Sequence, residues 1–139
     1  MIILDTNVLS ALMRDPAATV VLAWLDQQPR HSIWTTSVTI FEIRFGLSVM
    51  PLGRRRARLE QDLEDVIRED LEDRIAPFDA VAAEEAANLM AERRRRGSPG
   101  ELRDSMIAGI TIARRATLAT RNTRHFADLA VPVVNPWVD

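Results

Sequence analysis

The sequence predicts an α/β fold, a mostly parallel sheet of four to five strands flanked by helices, on three observations. Ile2-Ile-Leu4 is a short unbroken apolar run that stops at an acid; lacking polar alternation, it reads as a strand buried on both faces, as strands of parallel sheets are. Further short β-rich runs recur along the chain, each separated from the next by a segment of helical period. Such alternation favours a parallel sheet covered on both sides, and right-handed crossovers then place every strand's carboxyl end along one edge. The length of 139 residues suits one domain, residues 1–139, with a sizeable core.

Taken in order, Asp5 follows the first strand, and Thr6 and Asn7 are cap-type residues ahead of Val8, Leu9, Leu12 and Met13 at helical spacing. Asp15-Pro16 marks a break. Ala18 to Leu25 resumes a helix with Val21, Leu22, Trp24 and Leu25 on a broad apolar face, and Pro29 ends it. Ser32 to Thr36 is rich in β-formers and reads as the second strand. Ser37 is the expected N-cap of a helix from Val38 to Val49, with Ile40, Phe41, Ile43, Phe45 and Leu47 at its apolar positions and Glu42 among them; Pro51 stops it. From Gly53 to Asp73, Leu59, Leu63, Val66, Ile67 and Leu71 form one apolar stripe on a charged helix whose acids face water. Arg74 to Phe78 is a strand that Pro77 places at or near a sheet edge. Asp79 caps an Ala-rich helix to about Arg96, and Gly97-Ser-Pro-Gly100 breaks the chain. Asp104 falls in the first turn of a helix buried through Met106, Ile107, Ile110 and Ile112, where the helix dipole favours an acid. Thr117 to Thr120 and Val131 to Val134 supply the last strands.

Composition narrows the function classes. Apolar residues at 47% and charged residues at 27% fit a globular chain, and no apolar run approaches the roughly 20 residues of a membrane span. The start lacks the basic region of a signal peptide, so a cytoplasmic location is expected. With no Cys and two His, disulfides and thiolate metal sites are excluded and an all-His zinc site is hard to assemble. All 18 basic residues are Arg, clustered at Arg54–Arg56 with Arg58 and at Arg93–Arg96. Either they grip phosphate through their forks or they are solvated helix faces.

In open α/β sheets, ligands bind at the carboxyl ends of strands. Polar residues at such ends, or early in apolar helices, are Asp5, Glu42 and Asp104, with Thr6, Asn7, Thr120 and Asn122. Each acid has an ordinary explanation: a helix cap for Asp5, a partly buried ion pair for Glu42, a first-turn acid for Asp104. Converging, they need compensation, because an unpaired buried carboxylate costs several kcal/mol. Carboxylates and water are the ligand set Mg²⁺ and Mn²⁺ prefer.

These residues carry a resemblance to the PIN-domain family. Ile2-Ile-Leu-Asp-Thr-Asn-Val-Leu-Ser10 resembles the family's opening motif, and Ser37-Val-Thr-Ile-Phe-Glu42-Ile-Arg-Phe-Gly46 its second. Asp104-Ser-Met-Ile-Ala resembles the third, Leu118-Ala-Thr-Arg-Asn122-Thr-Arg-His-Phe126 the fourth, and Val134-Asn-Pro-Trp137 is typical of one branch. The branch it is most similar to is the VapC/FitB-like toxins of bacterial type II toxin–antitoxin systems.

The resemblance implies a PIN-like three-layer sandwich and a metal-dependent endoribonuclease. It further implies a homodimer, an inhibiting antitoxin, and contact with DNA indirectly, through the antitoxin. Asp5, Glu42 and Asp104 match the metal-site acids, with Thr6, Asn7 and Thr120 orienting them. Asn122 stands where many relatives have a fourth acid, keeping a carbonyl oxygen but bringing no charge. His125 occupies a position often acidic in the family and reads as structural. Arg121 and Arg124 are candidates to hold the RNA backbone. Two rivals are an aspartyl phosphatase, disfavoured because the chain has no Lys and Asn7 replaces a second acid, and a catalytically weakened RNA- or protein-binding module, for which Asn122 is the one feature.

Overall fold

Five short strands, β1 (Ile2–Leu4), β2 (Ile33–Thr36), β3 (Ile75–Ala76), β4 (Thr117–Ala119) and β5 (Val133–Val134), form one sheet. Its order is β3-β2-β1-β4-β5, and every pair is parallel. The computed structural model describes residues 1–13 and 19–139, so the break at Asp15-Pro16 and the helix start at Ala18 lie outside the described residues. Among the described residues six α-helices cover the sheet: α1 (Thr6–Met13), α2 (Thr19–Asp26), α3 (Ser37–Val49), α4 (Arg54–Asp65), α5 (Ala80–Arg95) and α6 (Leu102–Ala113).

The central strand β1 shows why the unbroken apolar run was informative. Successive side chains of a strand point to opposite faces, and Ile3 and Leu4 are both fully buried. Leu4 joins a core with Val8, Leu9, Leu47, Leu63 and Leu71; Ile3 joins another with Leu89, Ile107, Ile110, Leu118 and Phe126. The two cores lie on opposite sides of the sheet, giving the expected three layers. As Pro77 implied, β3 is an edge strand.

Four local expectations are corrected. The cap of α3 is Thr36, whose extended backbone lets its hydroxyl accept from the Thr39 N–H at 3.0 Å. Ser37 is already helical, and its Oγ accepts from the Phe78 N–H, tying the exit of β3 to the start of α3. The charged helix does not run to Asp73: α4 gives way to a widened π-helical turn over Val66–Asp70, which keeps Val66, Ile67 and Leu71 buried. Glu72 and Asp73 then adopt positive φ of 48° and 59° to turn the chain into β3. Phe41 and Phe45 of α3 lie outside the core, 58% and 55% exposed, stacked on each other as an i,i+4 pair. Leu22 of α2 is likewise exposed while its neighbour Val21 is fully buried.

Candidate metal centre

Sheet register builds the centre. Because Leu4 pairs with Ala119, the Asp5 N–H donates to the Ala119 carbonyl, and the Thr120 N–H donates to the Val134 carbonyl, both at 2.9 Å. Asp5 and Thr120 therefore leave neighbouring strands side by side, and the Thr120 hydroxyl donates to Asp5 Oδ2 at 2.7 Å. Asp5 Oδ1 accepts from the Thr6 N–H at 2.8 Å, and Asn7 Nδ2 lies 3.3 Å from Oδ2. The cap role also exists, carried by the Asp5 carbonyl, which accepts from the N–H groups of Val8 and Leu9.

Asp5 is 3% exposed. Burial raises its carboxyl above the ordinary carboxylate range. The hydrogen bonds from Thr120 and Thr6 oppose that rise, and the charges of Asp104 and Glu42 add to it. Those two charges come from α6 and α3: Asp104 borders one cavity with His125, and Glu42 borders another with Thr6. Glu42, on α3, accepts from the Thr6 hydroxyl at 2.8 Å through Oε1, and Arg103 Nε stands 3.6 Å from its Oε2. Asp104, in the first turn of α6, has Oδ2 3.0 Å from His125 Nδ1.

The remaining predicted residues follow Thr120 in the chain. Asn122 donates its N–H to Thr120 Oγ1 at 3.1 Å and presents an exposed side chain. Arg121 donates its N–H to Asn7 Oδ1 at 3.0 Å, while its guanidinium stacks over Trp137, 4.8 Å from the ring centroid. Arg124 lines a cavity of about 530 Å³ together with Asp104 and His125.

Among the described residues, no three His, Cys, Asp or Glu side chains already stand in the spacing of a closed ion cage. Asp104 is turned to His125, and Glu42 to Thr6 and Arg103. The donor set nonetheless fits a hard divalent cation. The hydrogen-bond partners of the buried Asp5 carboxylate are all neutral, and its neighbours add further negative charge.

Sequence reasoning missed three participants. Arg103 partly offsets the Glu42 charge; its place beside Asp104 was the available hint. Thr39 joins the Thr6 and Thr36 hydroxyls at 3.2 and 3.3 Å and so links the Glu42 support to the α3 cap. Arg93, within a run read either as a phosphate grip or as a solvated face, is neither: it is 4% exposed and clasps Asp128. No local pattern announced that pair, 35 residues apart.

The fold and site thus define a class: a parallel α/β protein with carboxylates gathered at the carboxyl edge of its sheet. The chain belongs to the PIN domain family, whose model matches residues 2–132, within the VapC/FitB-like branch. It is 37% identical over 137 residues, 99% of this chain and 98% of the relative, to the VapC ribonuclease Y4jK of Sinorhizobium fredii. Identity to the toxin FitB of Neisseria gonorrhoeae is 33% over 139 residues, all of both chains. Among solved structures, FitAB bound to an IR36 DNA fragment superposes with a TM-score of 0.87 at 32% identity, covering 99% of this chain and 96% of that one. No described helix is long and apolar enough to cross a membrane.

Proposed function

We propose that the chain is the toxin of a toxin–antitoxin pair, an endoribonuclease that hydrolyses RNA phosphodiester bonds at a Mg²⁺ or Mn²⁺ site formed by Asp5, Glu42 and Asp104. The observation that carries this reading is the Asp5 carboxyl, 3% exposed, raised by burial and by two neighbouring carboxylates, and held by neutral donors. A cation so placed supplies Lewis acidity that activates water and steadies charge on a scissile phosphate.

The chain's own residues do the positioning. The hydroxyl of Thr120 and the N–H of Thr6 aim the Asp5 carboxylate, and the Thr6 side chain holds Glu42. Such partners fix the orientation and basicity of ligands. Asn122 offers a neutral carbonyl oxygen where a fourth acid would bring charge. Arg124, which lines the cavity with Asp104, and Arg121, stacked on Trp137, would contact the RNA backbone.

The unit is residues 1–139, acting as a cytoplasmic homodimer and restrained by an antitoxin; contact with DNA comes through that antitoxin. Support for the partner is the likeness to the structure of FitAB bound to an IR36 DNA fragment. A second reading, a catalytically weakened RNA- or protein-binding module, is favoured by the uncharged Asn122 and the open spacing of the acids. Cleavage of single-stranded RNA with Mg²⁺ or Mn²⁺, without metal, and with Asp5→Asn separates the two. The nuclease reading expects metal-dependent cleavage that Asp5→Asn abolishes; no cleavage by either protein supports the binding module.

A further inference from the structure

We propose that Arg93 is a positioning residue of this site, fixing the geometry of the Asp104–His125 pair. The inference rests on the metal-site reading above. Among the described residues, Asp5 and Arg93 are the buried charged side chains. Arg93 sits in the last turn of α5. Its Nε and Nη2 donate to Asp128 Oδ2 and Oδ1, each at 2.8 Å; Nη2 also donates to the His125 carbonyl at 2.9 Å, and Nη1 to Ser105 Oγ at 3.2 Å.

The placement of those acceptors is what matters. Ser105 follows Asp104 in the first turn of α6, and the His125 carbonyl belongs to the residue whose ring stands 3.0 Å from Asp104. One planar fork therefore ties the Ser105 hydroxyl, next to Asp104, and the His125 backbone carbonyl to α5. An ion pair for stability alone needs only Asp128, which Arg96 also reaches at 2.8 Å. The two further bonds cross to the elements that carry the acid site. Gly100, at φ +71°, keeps the space open: a Cβ there would lie 3.1 Å from Arg93 Nη1. A Lys keeps the charge but lacks the fork.

The test uses the full chain with Arg93→Lys, Ser105→Ala and, as control for the site, Asp5→Asn. Three quantities are read: Mn²⁺ affinity by electron paramagnetic resonance, kcat and KM for Mn²⁺-supported cleavage of single-stranded RNA, and melting by circular dichroism. Arg93→Lys is expected to fold and to weaken Mn²⁺ binding and kcat by about 10–100-fold, with KM for RNA nearly unchanged. Ser105→Ala is expected to lose about fivefold in both, the equivalent of one hydrogen bond. If both fold and match wild type in Mn²⁺ affinity and kcat, whatever their melting points, the positioning role is overturned while the nuclease reading stands. Should Arg93→Lys fail to fold, wild-type values for Ser105→Ala overturn the role alone. A wild-type protein that neither binds Mn²⁺ nor cleaves, or an Asp5→Asn variant that retains both, overturns the metal-site reading and this inference with it.

Discussion

A carboxylate as buried as Asp5 depends on its donors. The Thr120 hydroxyl is the shortest of them at 2.7 Å, and Thr120→Val removes it at nearly constant volume. Leaving a buried acceptor short of a partner costs about 1–3 kcal/mol, so urea unfolding at neutral pH should shift by that amount. Calorimetric Mn²⁺ titration of the same variant should show affinity reduced by about 10–100-fold. The Arg93–Asp128 pair gives a pH prediction. Arg93 holds the Asp128 carboxyl down at about 2, below its ordinary 3.8. A carboxylate depressed in the folded state stabilises above its unfolded pKa and loses that contribution as pH falls through the folded value. The pair's share, about 1 kcal/mol once solvent screening of the exposed Asp128 is allowed for, should therefore be intact above about pH 5 and be mostly lost by about pH 2. Urea midpoints of wild type and Asp128→Asn should differ at pH 6 and converge at pH 2. At this scale the acids were legible because each sits at a strand end or an early helical turn. The contact of His125 with Asp104 was not, since it depends on the short 3₁₀ turn of Thr123–Phe126.

At the scale of elements, the closest packing is that of α5 on α6. A Cβ at Gly109 would stand 2.5 Å from the Ala82 carbonyl oxygen and 2.7 Å from Ala86 Cβ, so the two helices meet at contact distance across small side chains. Gly109→Ala, which elsewhere in a helix would help, should here force the helices apart and cost about 1–3 kcal/mol, read as a lowered melting temperature. The N-terminus of α3 offers a second check. Thr36→Ala removes the hydroxyl that caps the helix and should cost about 1 kcal/mol. Apolar spacing was enough to find α1, α3 and α6, and the Asp79 cap with Ala-rich propensity found α5. The cap of α3 was misplaced by one residue because Thr36 and Ser37 are both cap formers, and only the backbone at Thr36 is extended. The π-helical turn was invisible because the stripe from Leu59 to Leu71 suits a plain helix equally well.

For the whole molecule, the alternation of strand and helix carried the parallel sheet and the side on which its carboxyl ends lie. The order of the strands came from pairing, which no local pattern records. Phe41, Phe45 and Leu102 are more than half exposed and border one apolar cavity with Met106 and Phe78. Phe41→Glu with Phe45→Glu should leave the melting temperature little changed, because neither ring is in the core. The proposed function requires three acids, contributed by α3, α6 and the end of β1, to share one ion. Mn²⁺ titration of wild type, Asp5→Asn, Glu42→Gln and Asp104→Asn by calorimetry tests this most directly. Wild type is expected to bind, and each substitution to weaken binding by at least about tenfold; wild-type affinity in all three variants would contradict a shared ion.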